Sequence, residues 1–103
     1  MANLPEEEAV NFRYDVQTMI KNPDLKREDK NKIRDHIEKD CIGDCLLVIG
    51  MPGMIKVHFH TDEPEKLKQV LSLYGEFENF DIEDMKEQYE AFKAKQKEKK
   101  GEL

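Results

Sequence analysis

GDCLLVIGMPGMIKVHFHT, residues 43–61, is the densest apolar run of the chain, and it holds two histidines two positions apart. Two β-rich segments flank Met51-Pro52-Gly53. Proline presets the first central position of a turn and glycine supplies a positive φ at the second, so the stretch reads as a β-hairpin. Successive side chains along a strand point to opposite faces. His58 and His60 therefore share one surface of the second strand, and Val57 and Phe59 share the other.

Upstream, Phe12, Tyr14 and Val16 alternate with Arg13, Asp15 and Gln17, which predicts a first strand between Val10 and Ile20. Asn22-Pro23-Asp24 offers a turn. From Leu25 to Asp40 the chain is rich in straight-chain charged residues that favour helix, with Leu25, Ile33 and Ile37 as a narrow buried stripe and His36 expected to face solvent. Gly43-Asp44 is expected to close that helix through a left-handed glycine cap. Downstream of the hairpin, Asp62 and Glu65 fit a capping box at the entry of a second helix. Leu67, Val70, Leu71 and Tyr74 give that helix a core-facing stripe, and Gly75 ends it. Phe77 to Ile82 alternates as a fourth strand with Phe80 and Ile82 on one face, and Asp84 can cap a last helix through Met85, Gln88, Tyr89 and Phe92.

The order strand, helix, strand, strand, helix, strand is the split βαβ, or ferredoxin-like, pattern of an α+β fold, here with an additional C-terminal helix. In its antiparallel sheet the first and third strands are central neighbours. The strand of Asp15 therefore lies beside the strand of His58 and His60. The chain divides into an acidic linker over residues 1–9, a single α+β domain over 10–93 and a lysine-rich tail over 94–103.

At 103 residues the chain has room for one domain with a modest core. Its net charge of −6 speaks against general nucleic-acid binding, which needs a basic face. No apolar run approaches the roughly 20 residues of a membrane-spanning helix, and the acidic N-terminus is unlike a secretory signal. Cys41 and Cys45 sit at a helix-to-strand junction, a poor place for a structural disulfide. Reduced cysteines and a cytoplasmic protein are expected.

Four groups of residues, Gly43-Asp44, then Lys56-Val57-His58-Phe59-His60-Thr61 with Pro64, then Tyr74-Gly75-Glu76, and finally Asp84-Met85 with Glu87-Gln88, carry a family resemblance. Their order and spacing resemble the middle domain of the large subunit of bacterial fatty acid kinase, a dihydroxyacetone kinase-like protein. The resemblance runs from Tyr14 to about Phe92 and is strongest between Gly43 and Gln88. It implies a parent protein in which an N-terminal kinase domain binds ATP and magnesium, the middle domain joins subunits, and a C-terminal domain engages a fatty-acid-binding protein of the DegV type. The family also has a first-strand cysteine that joins the two histidines of the HxHT motif in a metal-binding constellation. His58 and His60 match that motif, whereas Asp15 stands where the cysteine would be and Glu65 stands where a glycine follows the proline.

A Cys-His-His set suits zinc. An Asp-His-His set suits zinc or another divalent transition metal with open positions. The candidate ligands are thus Asp15, His58 and His60, with Cys45 as a fourth. A hairpin loop of two or four residues puts Cys45 across from His58 or His60, and an odd loop turns it into the core. The bland reading makes both histidines polar-face or interface residues without a metal. Asp62, Glu63 and Asp84 stand where helix entries want negative charge, so capping explains them better than catalysis. Leu46 to Ile49 is apolar on both faces of an edge strand, which calls for a cover. A second copy related by a two-fold axis is the simplest one, with Leu47 and Ile49 in the interface.

The resemblance implies a non-catalytic accessory and dimerisation domain of a fatty acid kinase-like parent, and the chain itself offers no phosphate-gripping loop. Two alternatives stand beside it. One is a small metal-binding or metal-dependent hydrolytic module, and the other a small-ligand regulatory domain.

Overall fold

The structure, a computed structural model, describes residues 11–101, and side chains as far as Lys95. Its elements run β1 (Tyr14–Lys21), α1 (Asp29–Asp40), β2 (Gly43–Met51), β3 (Met54–Thr61), α2 (Pro64–Leu71), β4 (Glu76–Asp84) and α3 (Met85–Gly101). The four strands form one antiparallel sheet in the order β2-β3-β1-β4. This is the ferredoxin-like α+β topology with an added helix. The linker expected over residues 1–9 lies outside the described residues, as do Val10 and the end of the lysine-rich tail.

One face of the sheet carries the core. Val16 and Ile20 of β1 and Ile55 and Val57 of β3 are fully enclosed, packed against Ile33 and Ile37 of α1 and Leu67 and Leu71 of α2. α1 lies over β2 and α2 over β1, so on β4 Phe77 and Phe80 are half-buried against the core while Ile82, on the same face, remains 43% exposed. Two polar side chains are buried in this layer. Thr18 Oγ1 donates to the carbonyl of Asn79 and Thr61 Oγ1 to that of Ile42, which satisfies both hydroxyls.

The hairpin turns as the residues require. Met51 pairs with Met54, leaving Pro52 and Gly53 as a two-residue loop, and Gly53 takes φ +75°. Elsewhere the local signals gave way to contacts across the fold. The first helix starts at Asp29 rather than Leu25, because Asn22 folds the chain into an Asx turn through Asp24 N and Asp29 Oδ2 accepts from Lys26 N. Its C-cap is Cys41 in an extended conformation, and Gly43 is not a left-handed cap but the first residue of β2. Glycine is needed there because any Cβ would run into the His60 carbonyl and the Phe59 ring.

Neither does the capping box form. Asp62 Oδ1 instead accepts from Arg13 N at 2.7 Å, Thr61 Oγ1 takes Glu63 N, and Pro64 opens α2 at a position whose N–H has no partner to lose. Asp84 does cap α3, accepting from Glu87 N at 3.0 Å. His36 is drawn inward, with Nδ1 2.5 Å from the Tyr74 hydroxyl and Nε2 3.0 Å from Asp40 Oδ2. It ties α1 to Tyr74 in the turn after α2 and is half-buried rather than facing solvent as expected.

Candidate metal centre

The open face of the sheet carries the site. Antiparallel register sets Asp15 of β1 directly across from His60 of β3, and Gln17 across from His58. Strand alternation turns Asp15, His58 and His60 together away from the core. Their donor atoms converge: Asp15 Oδ1 lies 2.7 Å from His58 Nε2 and 3.6 Å from His60 Nε2, and the two imidazole nitrogens are 3.3 Å apart. A tetrahedral zinc ion with ligand bonds of about 2.0–2.1 Å places its donors about 3.3 Å from one another. The observed triangle brackets that spacing.

Two details favour a cation over a simple hydrogen-bonded cluster. Asp15 Oδ1 is buried and has no hydrogen-bond partner, because the nearby His58 nitrogen is close but not aligned to donate to it. Such an orphaned acceptor is costly unless something positive sits in front of it. Secondly, His60 Nδ1 faces Asp44 Oδ1 at 3.7 Å. At that distance it is no hydrogen bond, but the carboxylate lies on the side of the ring from which such a group orients a ligating imidazole.

Cys45 takes a different place from the one expected. The loop is even, yet a bulge follows Asp44, so that Asp44 and not Cys45 pairs with His60 while Leu47 pairs with His58. Cys45 is the extra residue, exposed, with φ +55° in the left-handed region that favours glycine. Its sulfur still groups with Asp44 and His60, all donor atoms within 4.8 Å of one another, beside the triad rather than inside it. Local desolvation, and then the Asp44 carboxylate, push its thiol pKa up. At neutral pH it keeps its proton unless a metal displaces it. Cys41 is buried and its thiol is raised chiefly by desolvation, so it is inert packing.

Two polar side chains close to the triad in sequence, Arg13 and Thr61, are engaged elsewhere. Arg13 reaches Asp84 Oδ2 through Nε at 2.8 Å and Nη2 at 2.7 Å, and the Thr61 hydroxyl serves Ile42. Sequence reasoning missed Asp44 as the group behind His60. The only signal for it was its adjacency to Gly43, whose close approach to His60 brings β2 in at this level. Leu47 and Ile49, 49% and 41% exposed, form an apolar rim on the same open face beside the triad.

A ferredoxin-like sheet with three converging metal-type donors on its open face defines a small α+β module, with no glycine-rich phosphate loop among the described residues. The chain belongs to the FakA-like family of fatty acid kinase middle domains, whose model matches residues 11–92. Over 83 residues it is 34% identical to Protein YloV of Bacillus subtilis (strain 168), an alignment that covers 80% of this chain and 15% of the relative. An uncharacterized protein of Staphylococcus aureus (strain USA300) is 31% identical over the same shares of each chain, 80% and 15%. A further one, from the bovine strain RF122 / ET3-1, is 29% identical over 86% of this chain and 19% of the relative. The chain thus spans less than a fifth of the curated relatives it matches. No helix among the described residues is long and apolar enough to cross a membrane.

Proposed function

We propose that this domain is a non-catalytic accessory unit of an ATP-dependent, fatty acid kinase-like protein of the bacterial cytoplasm, joining subunits and holding a divalent transition metal, zinc by preference, on its open sheet face. Membership of the family supports the kinase-associated role. The convergence of Asp15, His58 and His60 around an orphaned carboxylate oxygen carries the metal. Three protein ligands with the fourth side open to the surface is the arrangement in which a metal keeps an exchangeable position. That position lies beside the exposed Leu47 and Ile49, so another domain of the parent protein can close over it. The partners this implies are the ATP-binding kinase domain and a fatty-acid-binding protein.

Elemental analysis of untagged protein tests the reading. Near-stoichiometric metal in the native chain, absent from a His58→Ala, His60→Ala double variant, is the expected result. Equal metal in both would sink it. The isolated chain should not turn over ATP. A second reading, metal-dependent hydrolysis, draws on the same open coordination side, and metal-dependent turnover abolished by His58→Ala would favour it.

A further inference from the structure

His60 has two ring nitrogens, and the triad uses one of them. Nε2 lies 3.3 Å from His58 Nε2 and 3.6 Å from Asp15 Oδ1, whereas Nδ1 faces Asp44 Oδ1 at 3.7 Å. The other carboxylate oxygen, Asp44 Oδ2, accepts from Asn11 Nδ2 at 3.3 Å, which holds Oδ1 on the imidazole side. Cys45 Sγ joins them, with the donor atoms of Asp44, Cys45 and His60 all within 4.8 Å of one another. A carboxylate, a thiol and an imidazole thus meet outside the triad.

The backbone bends to bring them together. In the unbroken ladder set by the pairing of Met51 with Met54, Cys45 would stand opposite His60 and Asp44 would turn to the core face. The bulge sets Cys45 and Leu46 against Phe59 alone, so Asp44 also reaches the histidine face. Two consecutive donors then flank one imidazole, which a regular strand cannot arrange. The cost falls on Cys45, whose φ of +55° is that of a bulge position that ordinarily takes glycine. Strain of this kind persists where the surrounding structure holds it for a function. Cys45 is exposed and the Asp44 side chain is 38% exposed, so an ion can enter from solvent without opening the core.

We propose that Asp44, Cys45 and His60 Nδ1 form a second site for a zinc-type divalent ion, and that His60 bridges it to the ion held by Asp15, His58 and His60 Nε2. Zinc bonds of about 2.0–2.1 Å to nitrogen and oxygen and about 2.3 Å to sulfur separate tetrahedral ligand atoms by about 3.3–3.6 Å. The 3.7 Å between Nδ1 and Oδ1 is close to that spacing, and rotation of the exposed Cys45 side chain brings the sulfur in. Thiolate and imidazole select zinc or cobalt over magnesium or calcium. Binding releases the thiol proton to solvent, and filling both sites also releases the second imidazole proton, which leaves His60 as a bridging imidazolate. The bridge rests on the reading of the triad as a metal site. The second site shares only His60 with it.

Cobalt(II) titration of the full, reduced chain tests the proposal, with bound cobalt counted by equilibrium dialysis and a thiolate ligand read from its near-ultraviolet charge-transfer band. The native chain should bind two equivalents and show the band. Cys45→Ser should lose the band and one equivalent, His58→Ala should lose the other equivalent and keep the band, and His60→Ala should weaken both. Asp44→Asn should weaken the band-forming equivalent by at least about tenfold. Cys45→Gly should also lose the band, yet unfold at a higher temperature than the native chain in chelator, because glycine adopts the left-handed conformation freely. That rise separates loss of a ligand from loss of the fold. Saturation of the native chain without the band, or a band that survives Cys45→Ser, would overturn the second site, and cobalt lost on His58→Ala would then leave the triad standing. A single equivalent lost in both Cys45→Ser and His58→Ala would overturn it in favour of one shared site. A band-forming equivalent lost in Cys45→Ser and untouched by His58→Ala, with no other cobalt bound, would support the second site and overturn the triad and the bridge.

Discussion

Replacing Asp15 by asparagine should move stability in opposite directions with and without metal. In the metal-free protein the Asp15 carboxylate holds a buried oxygen without a hydrogen-bond partner. An unsatisfied buried polar group costs about 1–3 kcal/mol. A fifth of the side chain, 20%, is exposed, so the lower end applies. Asparagine keeps the shape, removes the charge and can donate to the neighbouring His58 nitrogen. Relief of about 1 kcal/mol raises Tm by about 4–8 °C in a domain of this size. With zinc at 100 times its Kd the native protein instead gains about 2.7 kcal/mol, or about 10–20 °C, and the asparagine variant loses most of that. The assay is thermal unfolding followed by circular dichroism near pH 8, where a free imidazole is neutral, in chelator and then in excess zinc. A variant less stable than the native chain in chelator, with an equal response to zinc, would refute the assignment of Asp15.

Three further outcomes follow from contacts described above. Asp15→Cys restores the thiolate of the family pattern and should tighten zinc binding by at least about tenfold, read by competition with a chromogenic chelator. Gly43→Ala forces a Cβ against the His60 carbonyl and the Phe59 ring, so it should cost about 1–3 kcal/mol in denaturant unfolding and loosen the metal site at once. Asp84 is held below the usual carboxylate range first by its Arg13 hydrogen bond and then by Glu87 N. A depressed folded pKa gives stability that is present above the unfolded pKa of about 3.9 and lost as pH falls through the folded value. The Tm gap between native and Asp84→Asn protein should therefore be full near neutrality and close in acid. A gap that widens in acid would contradict the assignment.

The fold was legible because its signals are periodic. Alternation in β1 and β3 and the i, i+3, i+4 stripe of Leu67, Val70 and Leu71 fixed the element order, and that order brings the strand of Asp15 beside the strand of His58 and His60. What escaped was decided by residues far apart in sequence. Asp62 looks like a cap to its neighbours but answers Arg13, 49 positions away. Tyr74 draws His36 inward across 38 positions. A single inserted residue leaves no trace in a hydrophobic pattern, so the bulge that replaces Cys45 by Asp44 opposite His60 could not be read beforehand. The length of α3 was equally hidden, since its lysine half has no apolar face to announce it.

The bulge makes Cys45 a residue that the sheet can do without. Asp44 keeps its place opposite His60 and Leu47 its place opposite His58 whether or not a residue is looped out between them and Leu46. Chain length at this point is thus uncoupled from the geometry of the metal face. Relatives one residue shorter here can present the same carboxylate and the same apolar rim, and an aligned gap at Cys45 would mark shared architecture rather than divergence.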